Sequence, residues 1–223
     1  MALTDRLLAA GVTVVATSRD PDQTNLGQLA GGNPALQVLA ADMDDAAALP
    51  ALVDRVVHDH GRLDLLLPNA GVAEVRTLEE VSLADWQRSL DVNLTAPFQL
   101  AQAAAAGMRE RKYGRILFTS SVAAYTGGFV GPHYAAAKAG LHGLVHFLSS
   151  RLASTGVTAN AIAPALIADT AMIEGLPAGQ PAPSVPVGRL GRPAEVADLA
   201  IAVLSNGYLT GQVLILDGGL HPT

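Results

Sequence analysis

The feature that most constrains this chain is its alternation. Segments of strand length, rich in β-branched and aliphatic residues, alternate with segments of helix length along the whole sequence. Residues 2–10 place Leu3, Leu7 and Leu8 on one helical side, and Gly11 offers the left-handed conformation that ends a helix. A short apolar run at 12–17 then predicts a buried strand. The pattern continues with strands at 36–41, 63–67, 115–119, 158–163 and 213–216. Between them fall helices at 45–60, 82–111, 134–154 and 193–204, the last opened by Pro193 in its first turn. Residues 20–33 read as a turn-rich connection with room for a short helix, and 165–186, rich in Pro, Gly and Ala, as a loop.

Strands that are apolar on both faces and separated by helices predict a parallel sheet covered on both sides, a doubly wound α/β fold. With 223 residues and no internal repeat or linker, the chain predicts a single domain, 1–223. Ligands of such sheets bind beyond the carboxyl ends of the strands, so chemistry is sought there.

Composition removes several function classes. The absence of cysteine excludes disulfides, thiolate nucleophiles and zinc–cysteine sites. Fourteen basic residues against 20 acidic ones leave no basic face for nucleic acid. No stretch reaches the roughly 20 apolar residues of a membrane span, so the expectation is a cytoplasmic protein without membrane contact. Of the basic residues only Lys112 and Lys138 are lysines.

Lys138 follows Tyr134 by four positions in Tyr-Ala-Ala-Ala-Lys, on one helix face. A neighbouring ammonium favours a phenolate, which suits the phenol to exchange a proton with a substrate oxygen. Ser120 and Ser121 follow the strand at 115–119, and Ser121 is placed to hold a substrate carbonyl. Asn93 sits inside a helix, where asparagine is a poor residue, and a water bridge to Lys138 is one reason for it. Asn69-Ala70-Gly71 is a small-residue turn after the strand at 63–67, where a cofactor can approach. His133 either lines the substrate mouth or is a surface histidine. His142 and His146 have the spacing of a helical zinc pair, but Gly143 stands where that motif needs glutamate, so both read as structural.

Taken together these pieces resemble the short-chain dehydrogenase/reductase family. The matching residues are Asp42-Met43, Pro68-Asn69-Ala70-Gly71, Asp91-Val92-Asn93, Ser121, Tyr134 with Lys138, Asn160 to Pro164, Arg189 to Pro193, and Thr210 to Gly219. Within the family the chain is most similar to the 3-oxoacyl-(acyl-carrier-protein) reductase-like branch. The resemblance implies a Rossmann-like fold and an NADP(H)-dependent oxidoreductase that interconverts a small-molecule carbonyl and a secondary alcohol. It implies Tyr134 as general acid or base, Lys138 as its electrostatic partner and ribose anchor, Ser121 as substrate holder, and Asn93 as anchor of a relay water. It implies Asp42 and Met43 near the adenine and Asn69, Ala70 and Gly71 near the adenosine ribose. Pro164, Ile167 and Thr170 fall at the nicotinamide end, with the Ile167 backbone facing the carboxamide. Ser18 and Arg19 end the strand that faces the adenosine ribose, and an arginine there suits a 2′-phosphate, hence NADPH. A homodimer or homotetramer, paired through the small-residue helices 94–111 and 134–154, is also implied.

The chain departs from that family in one large respect. The first strand and its glycine-rich phosphate-binding loop are missing, and residues 2–8 resemble the helix that follows that loop. The missing strand is central in such a sheet, between 12–17 and 63–67. Losing four or five buried apolar side chains, at ~1.5–3 kcal/mol each, removes on the order of 10 kcal/mol. The sheet then re-pairs, or a partner fills the gap, or the natural start lies upstream, which is the expectation favoured here. A non-catalytic binding or assembly subunit is the alternative function. The expected substrate-lining segments are 72–80, 122–133 and 165–186, none with a distinctive polar anchor.

Overall fold

The structure is a computed structural model, and it describes residues 1–21, 25–170 and 185–221. The strands read from the sequence form where expected, as β1 (Val14–Ser18), β2 (Leu36–Ala40), β3 (Leu65–Leu66), β4 (Gly114–Thr119), β5 (Val157–Pro164) and β6 (Val213–Leu216). Every pairing is parallel. The strands divide into two sheets, β1-β2 and β3-β4-β5-β6. The division falls between β1 and β3, where the sequence reading placed the missing strand. The sheet has not re-paired across it.

That division shortens the strand expected at 63–67. β3 bonds only to β4, through Leu65 beside Arg115 and Leu66 beside Ile116, and so is regular over two residues. β5 lies at the other extreme. It pairs on both sides, and residues 157–163 are all buried, as a strand with both faces covered requires.

Helices cover both faces. On one, α3 (Leu49–His60), α5 (Ala96–Glu110) and α7 (Pro132–Leu152) contribute Leu49, Val53, Leu100, Met108, Leu141 and Val145 to a core closed by Ile116 and Phe118 of β4. On the other, α1 (Ala2–Ala9) and α8 (Pro193–Ser205) bury Leu7, Ala200, Val203 and Leu204 against Leu117 and Ile162. Val14 of β1 and Leu65 of β3 pack against this second cluster from either side of the sheet division. The fold is therefore the expected doubly wound α/β arrangement, with its sheet in two parts.

Local sequence explains the element ends. α4 (Leu83–Leu90) starts on a capping box: Ser82 Oγ accepts from the Asp85 amide at 3.1 Å, and the Asp85 carboxylate accepts from the Ser82 amide at 3.0 Å. α7 begins two residues before the expected start because Pro132 supplies its first turn after Gly131. Gly131 adopts φ 137°, and a Cβ there would fall 2.4 Å from the Arg76 backbone oxygen. The helix expected at 45–60 opens as a 3₁₀ turn at Ala46–Ala48 before α3. The connection at 20–33 holds the short α2 (Asn25–Ala30). The α6 turn (Ala123–Thr126) was not anticipated, since four residues carry no period. Of the loop at 165–186, residues 171–184 lie outside the described residues. No described helix is long and apolar enough to cross a membrane.

Candidate active site

The carboxyl ends of β3, β4 and β5 and the first turns of α7 bring Ser121, Tyr134 and Lys138 together. All three are buried: 8% exposed for Ser121, 5% for Tyr134 and 4% for Lys138. Tyr134 and Lys138 share a face of α7, and the ammonium lies 5.7 Å from the phenol ring centre. Burial raises the Tyr134 phenol above its ordinary value of 10, and a hydrogen bond with Ser121 opposes the rise. The lowering influence on the phenol thus comes from Ser121. Ser121 Oγ also accepts from the Ala123 amide at 3.1 Å, which fixes the hydroxyl at the start of α6.

Lys138 is a buried cation, and among the described residues no carboxylate pairs with it. Its Nζ donates to the backbone oxygen of Thr119 at 2.8 Å. Burial alone lowers its pKa from 10.5 to about 8. An unpaired buried ammonium is costly, and strongly shifted groups of this kind concentrate at functional sites. Thr119 was not singled out from the sequence. Besides receiving Lys138 it donates from Oγ1 to Asn69 Oδ1 at 3.0 Å, joining the ends of β3 and β4. Its place as the last residue of β4 was the available signal.

Asn93 is completely buried within one π-helical turn, Asp91–Thr95, set between α4 and α5. Such turns often mark functional sites, and here it answers the sequence puzzle of an asparagine inside a helix. The Asn93 carboxamide grips the chain after β3: Oδ1 accepts from the Val72 amide at 3.2 Å, and Nδ2 donates to the Val72 oxygen at 3.0 Å and to Ser89 Oγ at 3.2 Å. Gly71 passes directly over this group. A Cβ on Gly71 would lie 2.7 Å from Asn93 Oδ1 and 3.5 Å from Lys138 Nζ. The small-residue turn is therefore explained first by Asn93.

Beyond the ends of β1, β2 and β3 lies a cleft of about 160 Å³. It gathers six residues singled out from the sequence: Ser18, Arg19, Asp42, Met43, Ala70 and Gly71. Thr17, Ala41, Asp44, Val72 and Val92 complete its lining; all but Val92 adjoin strand ends or the turn after β3. Asn69 lies beside it, turned to Thr119. Among the described residues no carboxylate pairs with Arg19. Asp42 accepts from the Asp44 amide at 3.0 Å, which presents its carboxylate at the end of β2. The volume is comparable with the roughly 150 Å³ that accommodates a benzene ring.

Pro164, Ile167 and Thr170 lie on the far side, at the end of β5. The Pro164 oxygen accepts from Val122 at 3.1 Å, tying this segment to the residue after Ser121. Gly191 bonds to the flanking residues Leu166 and Ala168, so the backbone groups of Ile167 point the other way. The Ile167 oxygen takes the Thr170 hydroxyl at 2.8 Å. Asn160, one of the matching motif residues, has a local structural task. Its carboxamide donates to Leu209 at 2.8 Å and accepts from Gln212 at 3.0 Å.

His133 is not a surface histidine. It is 3% exposed, and Nε2 faces the Glu74 oxygen at 3.1 Å, because α7 turns it under the chain after β3. His142 meets Ser120.

Comparison with known proteins agrees with this geometry. A family model described as enoyl-(acyl carrier protein) reductase matches residues 1–221. The 3-oxoacyl-[acyl-carrier-protein] reductase of a Synechocystis strain is 35% identical over 221 residues, covering 96% of this chain and 89% of its own length. The corresponding FabG reductase of Escherichia coli is 32% identical over 228 residues, covering 99% and 91%. The cis-4-hydroxycyclohexanecarboxylate dehydrogenase of Sinomonas cyclohexanicum is 36% identical over 228 residues, covering 98% and 90%. The fold, the motif residues and these relatives place the chain in the short-chain dehydrogenase/reductase family, as an oxidoreductase of its 3-oxoacyl-(acyl-carrier-protein) reductase-like branch.

Proposed function

We propose that the protein is an NADPH-dependent reductase that converts a ketone to a secondary alcohol, with Tyr134 as the general acid. The observation that carries this reading is the unpaired ammonium of Lys138, buried one helical turn from the buried phenol of Tyr134. The cleft at the ends of β1–β3 suits an adenosine end: Arg19 offers planar donors for a 2′-phosphate, and Asp42 and Met43 lie where the base would rest. Asn69, Ala70 and Gly71 form its inner wall, and Pro164, Ile167 and Thr170 are the residues for the carboxamide end.

NADPH, when bound, supplies the hydride. The remaining work falls to the chain. Ser121 donates a hydrogen bond to the substrate oxygen and holds it beside the phenol. Tyr134 gives its proton to that oxygen as negative charge develops there. Lys138 stabilises the resulting phenolate, and a relay water held at Asn93 would return the proton. In the oxidative direction the same groups run in reverse, with Tyr134 as base.

Catalysis is favoured over a binding or assembly role, because Asn93, Ser121, Tyr134 and Lys138 are all present and the relatives carry reductase and dehydrogenase names. A cytoplasmic homodimer or homotetramer, formed by a single domain spanning 1–223, belongs to the same reading. The relatives direct the choice of substrates: 3-oxoacyl and acetoacetyl thioesters and 4-oxocyclohexanecarboxylate. The test is NADPH oxidation at 340 nm by the natural full-length protein over that panel. Turnover of at least one ketone is expected, and no turnover of any would overturn the reading.

A further inference from the structure

The serine one place before Ser121 makes contacts that the mechanism above does not use. Ser120 directly follows β4 and is 2% exposed. Its Oγ lies 3.1 Å from the Lys138 backbone oxygen and 2.8 Å from His142 Nε2, both on α7. A hydroxyl has one proton to give, and a carbonyl oxygen can only accept. Both contacts are satisfied when Ser120 donates to Lys138 and His142 donates to Ser120. That arrangement places the imidazole proton on Nε2. Burial and the nearby His146 keep the His142 pKa below its ordinary value, consistent with a neutral ring.

The same imidazole touches a third element. Its ring packs on Tyr125 of α6 with centroids 4.9 Å apart, and the other neighbour of Tyr125 is His221, at 5.7 Å. Ser121 lies inside this clamp. Before it in the chain, Ser120 is fastened to α7. After it, α6 is fastened by the Tyr125–His142 contact and by the Ala123 amide on Ser121 Oγ. The helix that receives Ser120 is the one that carries Tyr134 and Lys138. Reaction rates respond steeply to misplacement of this kind, with about 1 Å costing ~10²-fold.

We propose that Ser120 and His142 are positioning residues that hold Ser121 in register with the Tyr134–Lys138 pair, an inference that rests on the ketone-reductase reading above. Neither touches the reacting atoms. They act by fixing the end of β4 to α7.

Three single variants and one double variant of the natural full-length protein test it. Ser120→Ala and His142→Leu each remove the link, whereas His142→Gln keeps an amide donor at similar reach. The expected kcat loss is about tenfold to a hundredfold for the first two, with the Kd for NADPH within about twofold. His142→Gln should stay within about threefold of the wild type. Ser120→Ala/His142→Leu should be no worse than the poorer single variant, because both break one link. Single variants with unchanged kcat, or a His142→Gln as impaired as His142→Leu, would overturn the proposal.

Imidazole ¹⁵N NMR of the wild type gives a second readout that needs no activity and no variant to fold. An Nε2–H tautomer at His142 is expected, and an Nδ1–H tautomer would overturn the clamp. A wild type with the expected tautomer that reduces no ketone brings down the reductase reading, and the positioning role with it. An active wild type whose variants are unaffected brings down the positioning role alone.

Discussion

Lys138 Nζ donates to the Thr119 backbone oxygen at 2.8 Å, so the one buried ammonium of the described residues rests on a carbonyl dipole in place of a carboxylate. The arrangement leaves the cation costly to keep and lowers its pKa to about 8. A carboxylate in the same place would offset that cost and also hold the ammonium away from the phenol.

The first prediction follows from this linkage. In the unfolded chain a lysine stays protonated to about pH 10.4. Between about 8 and 10 the unfolded state therefore binds more protons, and stability rises with pH through that window. Below pH 8 both states carry the charge, and the burial penalty is present in full. Lys138→Met removes it. We expect the Met variant to melt above the wild type at pH 7, by an advantage on the order of 3 kcal/mol at most, which closes as the pH approaches 10. Paired thermal melts at the two pH values check this. A Met variant that melts lower at pH 7 would mean that the Thr119 bond outweighs desolvation.

Tyr134→Phe should lose ketone reduction by about 10²- to 10⁴-fold while NADPH affinity stays within a few-fold. The phenol oxygen is bonded toward Ser121, and the ring belongs to a small core with Ala123 and Val130 that phenylalanine preserves. Stability should therefore change by less than about 1.5 kcal/mol. Turnover near that of the wild type would remove Tyr134 from the mechanism.

Much of this site was legible because its signals are local. Tyr134 and Lys138 are joined by helix periodicity, and Ser18, Asp42 and Gly71 by their places near strand ends, so a topology rule gathers them without coordinates. The contacts that escaped the sequence are long-range. Nothing in the spacing of Ser120 and His142 announces a bond across 22 positions, and Thr119 carries no motif. Asn93 was flagged as out of place in a helix, yet the partner that occupies its carboxamide is Val72, 21 positions earlier. The missing strand was read from the sequence, but the division of the sheet into two parts and the shortening of β3 to two residues needed the pairing itself.

Gly71 and Asn93 should prove energetically coupled. Gly71→Ala places a methyl 2.7 Å from Asn93 Oδ1, backed by Lys138 Nζ at 3.5 Å, in a turn gripped through Val72. The expected cost is about 1–3 kcal/mol by chemical denaturation. Asn93→Ala on its own leaves the buried backbone groups of Val72 unpartnered, at about 1–3 kcal/mol. In the double variant the clash is gone, so its cost should fall short of the sum of the two by at least about 0.5 kcal/mol. Strict additivity would show that the turn relaxes without help.

Assembly should run through the outer faces of α5 and α7. Several small residues of these helices, including Ala101, Ala104 and Ala137, are buried against the chain's own core. What remains outside includes Phe98 and Phe147, 39% and 59% exposed. Large exposed aromatics of this kind suit a self-complementary interface. Light scattering at micromolar concentration should give a dimer or tetramer. Phe147→Glu should shift it toward the monomer while circular dichroism stays unchanged. A folded monomeric wild type would end this expectation.

The last prediction concerns cofactor choice. Ser18 and Arg19 line the cleft at the end of β1, and no described carboxylate neutralises the guanidinium. Serine does not repel a 2′-phosphate, and arginine offers it a planar fork of donors. Asp42 and Asp44 share the cleft from the turn after β2, a different segment from the one that carries Arg19. The expected preference for NADP(H) over NAD(H) is at least about tenfold in kcat/KM, some 1.4 kcal/mol, for the natural full-length protein. Arg19→Asp, with Ser18 kept, replaces attraction with repulsion and should erase or reverse that ratio. A wild type that uses NADH equally well, or a substitution that leaves the ratio unchanged, would reduce Arg19 to a surface charge.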